Sequence, residues 1–429
     1  MRSFAAGMHV LYLTSEFLWP PLHGGRVRSL SQLRLLLAQP ELSMLHVFSL
    51  SEVPVSAADL DALRSALGNP AQLGIGTPVF HPIHLRQHKR KLIEVGLRRL
   101  FSGTPYLLAK WRSPSVEAAL SAQLTSRPWD IVYIDHLGMA VYLPLVRRLC
   151  PRARVVVESH NIESEFFAQF AASKPQPLRL FAGLEADAAA DHEARVLAEA
   201  DAVVAISDRD AQGLRKLALR KTGRAVQPLV VPPVVEISPV EMPAHLPPRL
   251  VYVGNLTWHP NVAGLDWLCQ CVFPKVRELL PAATLQIAGS GLSHDDTGKL
   301  EVPAQWQAPG IEVVGFVPSL SQFVAGSPVM VAPVFGGSGV RIKLLDSLRL
   351  GIPTVTTRDG ASGLPLSDDI ELRICDDPAE FARAVVALCQ DSSLRARLRN
   401  AGLAFLSEHH SPKHAQTALR MAMGLPVLG

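Results

Sequence analysis

The stretch VMVAPVFGGSGVRIKLLDSLRLGIPTVTT, residues 329–357, decides the fold class. A short apolar run is followed by a glycine-rich turn, then by a helical pattern that Gly351 and Pro353 end, and then by a second apolar run. This order predicts a buried strand, a loop that opens a helix, and a second strand parallel to the first. The stretch is therefore one βα unit of an α/β protein.

The glycine-rich turn also predicts an anion site. Arg341 and Lys343 fall in the first turns of the following helix, so backbone N–H groups, the positive end of the helix dipole and two cations come together. A diphosphate suits such a site, and Asp346 is placed to accept hydrogen bonds from ribose hydroxyls. The candidate residues of the turn itself are Gly337, Ser338 and Gly339. In the alternative interpretation the glycines only form a turn, and Lys343 and Asp346 form an exposed ion pair.

Similar apolar runs alternate with helical patterns along the whole chain. They form a first series at 9–14, 45–50, 131–134, 155–158 and 202–206, and a second at 250–253, 284–288, 311–314, 329–332 and 354–356. The pattern of a doubly wound parallel sheet therefore occurs twice, which predicts two Rossmann-like α/β domains. Two such sheets facing each other make a cleft, and ligands are expected beyond the carboxyl ends of the strands.

A proline-rich segment separates the two series. VQPLVVPPVVEISPVEMPAHLPPR contains seven prolines, which exclude a helix or a central strand there. We predict a first domain over residues 1–235, a linker over 236–248 and a second domain over 249–410. A last helix is expected within residues 411–429.

Composition excludes several classes of protein. The 429 residues are 48% hydrophobic and 19% charged, which excludes disorder as the main state, and a net charge of +4 is too mild to indicate nucleic acid. A membrane-spanning run and a convincing signal peptide are both missing from the sequence. Five cysteines without a CxxC pair predict buried thiols in a reducing compartment and no zinc site. We expect a cytoplasmic protein.

Polar residues follow the strands of the first domain. Gly24 and Gly25 stand before a helix and would let backbone N–H groups approach an anion, unless they form a plain turn. His160 and Asn161 follow the run at 155–158, and His136 follows another strand. A histidine in such a loop can bind sugar hydroxyls or phosphate oxygens, although it can also merely cap a helix.

The first loop of the second domain adds a further candidate. Gly254 frees the backbone for close approach, and Asn255 or Asn261 could donate hydrogen bonds to a ligand. The alternative is that Asn261 caps the next helix.

A basic segment lies at residues 86–112. Its cations are Arg86, Lys89, Arg90, Lys91, Arg98, Arg99, Lys110 and Arg112, interleaved with apolar residues at near-helical spacing. This pattern predicts a helix lying on an anionic membrane, and equally a solvated basic face over a core. It indicates peripheral attachment at most.

Taken together, five segments resemble the GT-B glycosyltransferases, most closely retaining enzymes of the family-four type from bacterial polysaccharide pathways. The segments are PPLHGGR (20–26), VESHN (157–161), AISDRD (205–210), YVGNLTWHPN (252–261) and GGSGVRIKLLDSLRLGIPTV (336–355). The resemblance implies transfer of a hexose, with retention and without a metal, from a nucleotide-diphosphate sugar to a hydroxyl of a lipid-linked or polysaccharide glycan. It also implies a donor site on the second domain, an acceptor site on the first, and a final helix that returns to the first domain.

The same resemblance implies roles for single residues. Arg341 and Lys343 would hold the diphosphate, Asp346 the ribose, His160 the transferred sugar, and Gly25 would pack its backbone against the donor phosphates. The departing phosphate would take the proton of the attacking hydroxyl, so the resemblance implies no side-chain base.

One departure from the family pattern bears on the donor. Two glutamates eight positions apart are usual, and this chain has Ser338 and Asp346 there. The alternatives are a nucleotide-sugar 2-epimerase of the same architecture, which needs carboxylate acid/base groups, and a non-catalytic two-lobed sugar-binding protein. A dehydrogenase would need GxGxxG in the first βα turn, which is not met.

Overall fold

Two parallel sheets form where the sequence places its two series of apolar runs. The computed structural model describes residues 7–21, 24–82, 93, 97, 101, 105–172, 175–176, 178–295, 297–336 and 339–427. The chain divides into two units, the first made of residues 1–233 and 412–429 and the second of residues 234–411.

The first unit is built on an eight-stranded sheet. Its strands are β1 (Met8–Thr14), β2 (Leu42–Ser51), β3 (Leu73–Ile75), β4 (Val79–Phe80), β5 (Ile131–Asp135), β6 (Arg154–Ser159), β7 (Ala202–Ala205) and β8 (Leu229–Val230). They lie in the order β3-β2-β1-β5-β6-β7-β8, with β4 paired to β2, and every pair is parallel. The longer strands are almost continuously apolar because helices cover both faces of such a sheet.

Eight helices of the described chain surround this sheet before the second unit begins. They are α1 (Gly24–Leu37), α2 (Ala57–Ala66), α3 (Tyr106–Trp111), α4 (Pro114–Thr125), α5 (Leu143–Leu149), α6 (Glu163–Ala172), α7 (Leu178–Glu199) and α8 (Asp208–Thr222). Helix α1 begins at Gly24, so the two glycines lie in its first turn and not in a loop before it.

The second unit repeats the pattern with six strands. These are β9 (Arg249–Val253), β10 (Thr284–Ala288), β11 (Ile311–Gly315), β12 (Val329–Ala332), β13 (Thr354–Thr356) and β14 (Arg373–Ile374), in the order β11-β10-β9-β12-β13-β14. Its helices are α9 (His259–Trp267), α10 (Phe273–Leu279), α11 (Leu320–Val324), α12 (Ile342–Arg349), α13 (Arg358–Ala361), α14 (Pro378–Gln390) and α15 (Ser392–His409). The architecture is the predicted pair of Rossmann-like α/β domains.

The glycine-rich turn and the end of α12 follow the sequence prediction. Gly336 and Gly339 have φ of 74° and 84°, in the left-handed region that favours glycine. Helix α12 ends at Arg349, and Gly351 follows with φ of 65° before β13.

The last helix, α16 (Pro412–Met423), belongs to the first unit. Its residues Leu419 and Met423 are buried. Arg420 donates to Glu41 at 2.6 Å and 2.9 Å, and Arg154 donates to the carbonyl of Ala422 at 2.7 Å. The chain thus returns to its first sheet after completing the second.

Other findings concern the linker, the thiols and the membrane. Residues 231–248, all of which the structure describes, contain neither helix nor strand. The five cysteines are unpaired, but Cys271 is exposed and Cys389 is half-buried, so the prediction of buried thiols is wrong for these two. Among the described residues, helices both long and apolar enough to cross a membrane are absent.

Candidate functional site

A cluster of polar side chains lies at the carboxyl ends of β5 and β6. These strands are parallel neighbours with Asp135 opposite Glu158, so the residues that follow them meet at one edge of the sheet. His160 Nε2 lies 2.6 Å from Asp135 Oδ1, and the rings of His136 and His160 have centroids 3.7 Å apart. Two of the predicted sugar-side histidines are therefore in contact.

The ionisable groups of this cluster shift one another's pKa values. Burial alone would raise the pKa of Asp135, but the neighbouring histidines hold it well below its usual range. Burial alone would lower the pKa of His160, yet the charge and hydrogen bond of Asp135 raise it above 6.5 overall. Burial and the adjacent His160 lower the pKa of His136 to about 4. These shifts favour a charged His160 paired with Asp135 beside a neutral His136.

Helix α1 is attached to this cluster by buried polar contacts. Ser29 Oγ donates to Asp135 Oδ2 at 2.7 Å, and Arg28 Nε donates to Glu158 Oε1 at 2.7 Å. Tyr133 donates to the other oxygen of Glu158 at 2.5 Å. These contacts fix the helix whose first turn contains the two glycines.

Two further groups follow His160 closely in the chain. Asn161 Oδ1 is buried and has no hydrogen-bond partner among the residues that the structure describes, so a ligand hydroxyl would satisfy it. Burial and the charge of Glu193 raise the pKa of Glu163 to about 7. The backbone N–H groups of Glu163 and Ser164 donate to Glu193 at the start of α6.

The second unit places Lys343 in a polar cradle. Lys343 Nζ donates to Asn261 Oδ1 at 2.8 Å and to Tyr252 OH at 3.0 Å, and it lies 4.4 Å from the centroid of the Tyr252 ring. A Cβ at position 254 would come within 3.0 Å of all three side chains, which explains the glycine there. Burial and the charge of Arg341 lower the pKa of Lys343 to about 7.

Arg341, the second predicted diphosphate ligand, contacts the glycine-rich turn and a tryptophan ring. Its Nη2 donates to the carbonyl of Gly336 at 2.9 Å, and its guanidinium lies 5.4 Å from the centroid of the Trp258 ring. It therefore braces the glycine-rich turn, whose N–H at Gly336 also donates to Asp359 at 2.8 Å. Gly337 and Ser338 lie outside the described residues, whereas Gly339 is described and closes the turn.

Asp346 and the asparagines differ in part from the sequence expectations. Asp346 accepts from Arg349 Nε at 2.7 Å, so the alternative of an exposed Lys343–Asp346 pair is wrong. Burial raises the pKa of Asp346. Asn255 Oδ1 accepts from two backbone N–H groups within its own loop. Asn261 lies within α9 and bonds Lys343, so the alternative of an N-cap at Asn261 is wrong.

Sequence reasoning missed Asp135, Ser29 and Tyr252. Asp135 carried a usable signal, because it is the first polar residue after the apolar run of β5. Ser29 and Tyr252 carried none, since a serine in a helix and a tyrosine in a strand are ordinary residues. Each of Asp135, His136 and His160 offers one atom that could bind a metal, and these three atoms lie within 4.8 Å of one another. In the structure His160 Nε2 is hydrogen-bonded to Asp135 Oδ1. The ring of His136 is tilted by 37° against that of His160, so the trio consists of a hydrogen-bonded Asp135–His160 pair with a second imidazole beside it.

The basic segment 86–112 falls largely outside the described residues. Of its cations only Lys110 and Arg112 are described, and the described apolar residues Ile93, Leu97 and Phe101 are exposed.

Comparisons with known proteins match part of the chain by sequence and nearly all of it by fold. Residues 247–391, which contain Tyr252, Asn261 and Lys343, match the family model described as Glycosyl transferases group 1. A Klebsiella pneumoniae protein named "Uncharacterized 44.6 kDa protein in cps region" is 26% identical over 171 residues, or 38% of this chain. The match spans 43% of that relative, less than half its length.

Two solved structures match nearly the whole chain. HepE from Anabaena in complex with UDP-glucose has a TM-score of 0.63 at 13% identity, covering 97% of this chain and 100% of that one. Sucrose-phosphate synthase from Thermosynechococcus elongatus has a TM-score of 0.64 at 14% identity, covering 96% and 97%. The fold is GT-B, and the predicted resemblance to GT-B glycosyltransferases is confirmed, whereas retention stays a prediction.

Proposed function

We propose that this protein is a retaining glycosyltransferase that moves a hexose from a nucleotide-diphosphate sugar to a hydroxyl acceptor. The observation that carries the proposal is the cradle of Lys343. An ammonium held by Tyr252 and Asn261, at the start of a helix that follows a glycine-rich turn, is suited to a diphosphate. The match of residues 247–391 to a glycosyltransferase family supports the same interpretation.

In this proposal the second unit binds the donor. Lys343 supplies positive charge to the diphosphate, and Arg341 holds the turn that contains the predicted phosphate-side residues Gly337, Ser338 and Gly339. Asp346 accepts hydrogen bonds from ribose hydroxyls, and Asn255 contacts the donor from its loop. UDP-glucose is the ligand in the HepE structure, so uridine nucleotides are the first donors to test.

The first unit provides the sugar and acceptor side. His160 contacts the transferred sugar, and Asn161 Oδ1, which is buried without a described partner, accepts a hydroxyl. His136 lies against His160 on the same side, and the first turn of α1, with Gly24 and Gly25, approaches the donor phosphates. Cleavage of the anomeric C–O bond leaves negative charge on the diphosphate, which fixed cations stabilise. The departing phosphate then takes the proton of the attacking hydroxyl, so a side-chain base is not required, and independence of a metal stays a prediction.

The acceptor is the least constrained part of the proposal. The Klebsiella relative is named for a cps region, and by that likeness we propose a bacterial polysaccharide or lipid-linked glycan as acceptor. Residence in the cytoplasm, with peripheral contact of residues 86–112 to an anionic membrane, stays a prediction.

A panel of nucleotide sugars tests the proposal. A ligand at 100 times its Kd should stabilise the protein by about 2.7 kcal/mol, which a thermal unfolding assay detects readily. We expect UDP- or GDP-hexoses to raise Tm, with and without EDTA. NMR of the product should then show the anomeric configuration of the donor. A panel in which nucleotide diphosphates and their sugars leave Tm unchanged would contradict the proposal, and an inverted product would remove retention from it.

A further inference from the structure

The side chain of Asp135 is fully committed at both oxygens. Oδ1 accepts from His160 Nε2 at 2.6 Å and Oδ2 accepts from Ser29 Oγ at 2.7 Å. Asp135 itself is completely buried, and the His160 side chain is 8% exposed. A buried carboxylate held by helix α1 therefore fixes one ring nitrogen of the histidine, and Nδ1 is the ring nitrogen left for a ligand.

Several other charged groups face His160. Glu158 Oε1 lies 3.9 Å from His160 Nε2, but that carboxylate is already paired with Arg28 at 2.7 Å. His136 packs against the ring, and the more distant Glu163 interacts electrostatically with it. Asp135 is the anion in direct hydrogen-bond contact with the ring among the described residues. Two imidazoles with ring centroids 3.7 Å apart cannot both be positively charged without a large cost, so Asp135 selects His160 as the charged one.

We propose that Asp135 is a positioning residue of the glycosyl transfer: it orients the ring of His160 and keeps it positively charged, so that His160 presents Nδ1–H as a charged donor. The inference rests on the proposed function, since the recipient of that donor is an oxygen of the transferred sugar or the leaving diphosphate. A charge-assisted hydrogen bond to such an oxygen is about twice as strong as a neutral one. Ser29 contributes by fixing the rotation of the carboxylate.

Three variants separate charge from packing. Asp135→Asn keeps the size and one acceptor oxygen but removes the charge. Ser29→Ala removes one hydrogen bond from the carboxylate and keeps its charge. The matched control is Asp130→Asn. Asp130 directly precedes β5, whose last residue is Asp135, and its Oδ2 accepts from the N–H of His9 at 2.9 Å.

The first measurement is the titration of His160 by NMR in the full-length protein labelled with 13C-histidine, with His160→Gln to assign the signal. We expect a wild-type midpoint above 6.5 and a midpoint lower by about one to three pH units in Asp135→Asn. Ser29→Ala and Asp130→Asn should leave the midpoint close to that of the wild type. A wild-type midpoint below 6.5, which does not depend on the folding of Asp135→Asn, would overturn the proposal, as would an unchanged midpoint in Asp135→Asn.

The second measurement is kcat against pH with the donor found by the panel. In the wild type kcat should fall as pH rises through the His160 midpoint, and in Asp135→Asn this fall should move down by the same one to three pH units, about the NMR shift. If Asp135→Asn loses kcat but its pH profile does not move, the role of Asp135 is merely structural. That outcome refutes the positioning role and leaves the proposed function intact. If no nucleotide sugar is turned over, the proposed function fails, whereas the NMR titration still decides whether Asp135 charges His160.

Discussion

At the scale of single residues, Lys343 shows how burial makes a cation sensitive to pH. Its ammonium has two polar partners, Tyr252 and Asn261, neither of which carries a negative charge. Burial and the charge of Arg341 therefore lower its pKa to about 7, against 10.5 for a free lysine. A diphosphate would supply the missing anion, so ligand binding and protonation of Lys343 should favour each other.

We expect Lys343→Met to weaken binding of UDP or GDP by about 10- to 150-fold, because a hydrogen bond to a charged group contributes about 1.5–3 kcal/mol. Wild-type affinity should fall as pH rises through about 7, where Lys343 loses its proton, and the variant should lack this component. Calorimetric titration at about pH 6 and about pH 8.5, either side of that pKa, measures both effects. The ratio of wild type to variant removes the titration of the nucleotide itself.

The control for this prediction is Lys299→Met, which changes an exposed lysine of the same unit. Its nucleotide affinity and the pH dependence of that affinity should equal those of the wild type.

The pH dependence of wild-type stability provides an independent test of the lowered pKa of Lys343. Between pH 7 and 10.5 the unfolded chain binds more protons at Lys343 than the native chain, so this group makes stability rise with pH, and Lys343→Met should remove that slope. Equal nucleotide binding by both variants would place the donor site elsewhere.

The sequence predicts the residues that stand at strand ends better than the partners that hold them. His160, Asn161 and His136 could be chosen because parallel strands aim their carboxyl ends at one edge of a sheet. The pairing of His160 with Asp135 depends on which strands are neighbours, and that order is not contained in the local pattern. The partners of Lys343 were hidden for the same reason, because Tyr252 is 91 positions away in the chain.

At the scale of elements, α1 is held to the sheet by a fully buried ion pair. Arg28 and Glu158 have side chains 2% and 0% exposed, and Arg28 also donates to the carbonyl of Val231 at 2.6 Å. Taking one partner away leaves a buried charge without compensation, which typically costs about 3–5 kcal/mol. The pair therefore sets both the position of α1 and the sensitivity of this unit to mutation.

We expect Arg28→Met to lower the free energy of unfolding by about 3–5 kcal/mol, as measured by urea denaturation. The double variant Arg28→Met/Glu158→Gln should recover a large part of that loss, because the buried charge is gone and the new side-chain amide can still accept from Tyr133. Lys221→Gln, which breaks the half-exposed Lys221–Asp191 pair of the same unit, should cost about 1 kcal/mol or less. A loss in Arg28→Met no larger than that of this control would show that the pair does not hold the helix.

Some strands were predictable from the sequence, and four of the shortest were not. The strands at Thr284–Ala288, Val329–Ala332 and Thr354–Thr356 have the predicted bounds, because glycine or proline turn signals lie close to each of them in the sequence. Strands β3, β4, β8 and β14 have two or three residues each and leave no periodic signal. Helix α1 begins at its glycines, a boundary that their low helix propensity did not predict.

At the scale of the whole molecule, the chain closes its first unit with its last helix. The helical pattern of residues 412–423 was readable from the sequence, but the unit it joins was only implied by the GT-B resemblance. The reason is physical: Arg420 bonds Glu41 and Gln39, which lie 379 and 381 positions earlier, and such contacts leave no local trace. The first unit is therefore complete only when the last helix has been added.

We expect Arg420→Met to destabilise the first unit by about 1.5–3 kcal/mol, since Arg420 is 1% exposed and its hydrogen bonds to Glu41 are charged. The hydrogen bond from Arg420 lowers the pKa of Glu41, so this contribution is present at neutral pH and fades as acid protonates Glu41. Hydrogen exchange measured by mass spectrometry locates the effect. Protection should fall in peptides from β1, β2 and β6 and stay unchanged in peptides from β9, β10 and β12, which belong to the second unit. Lys413→Gln changes an exposed residue of the same helix and should leave every peptide unaffected. Equal loss of protection in both units would mean that the last helix stabilises the molecule as a whole and not the first unit in particular.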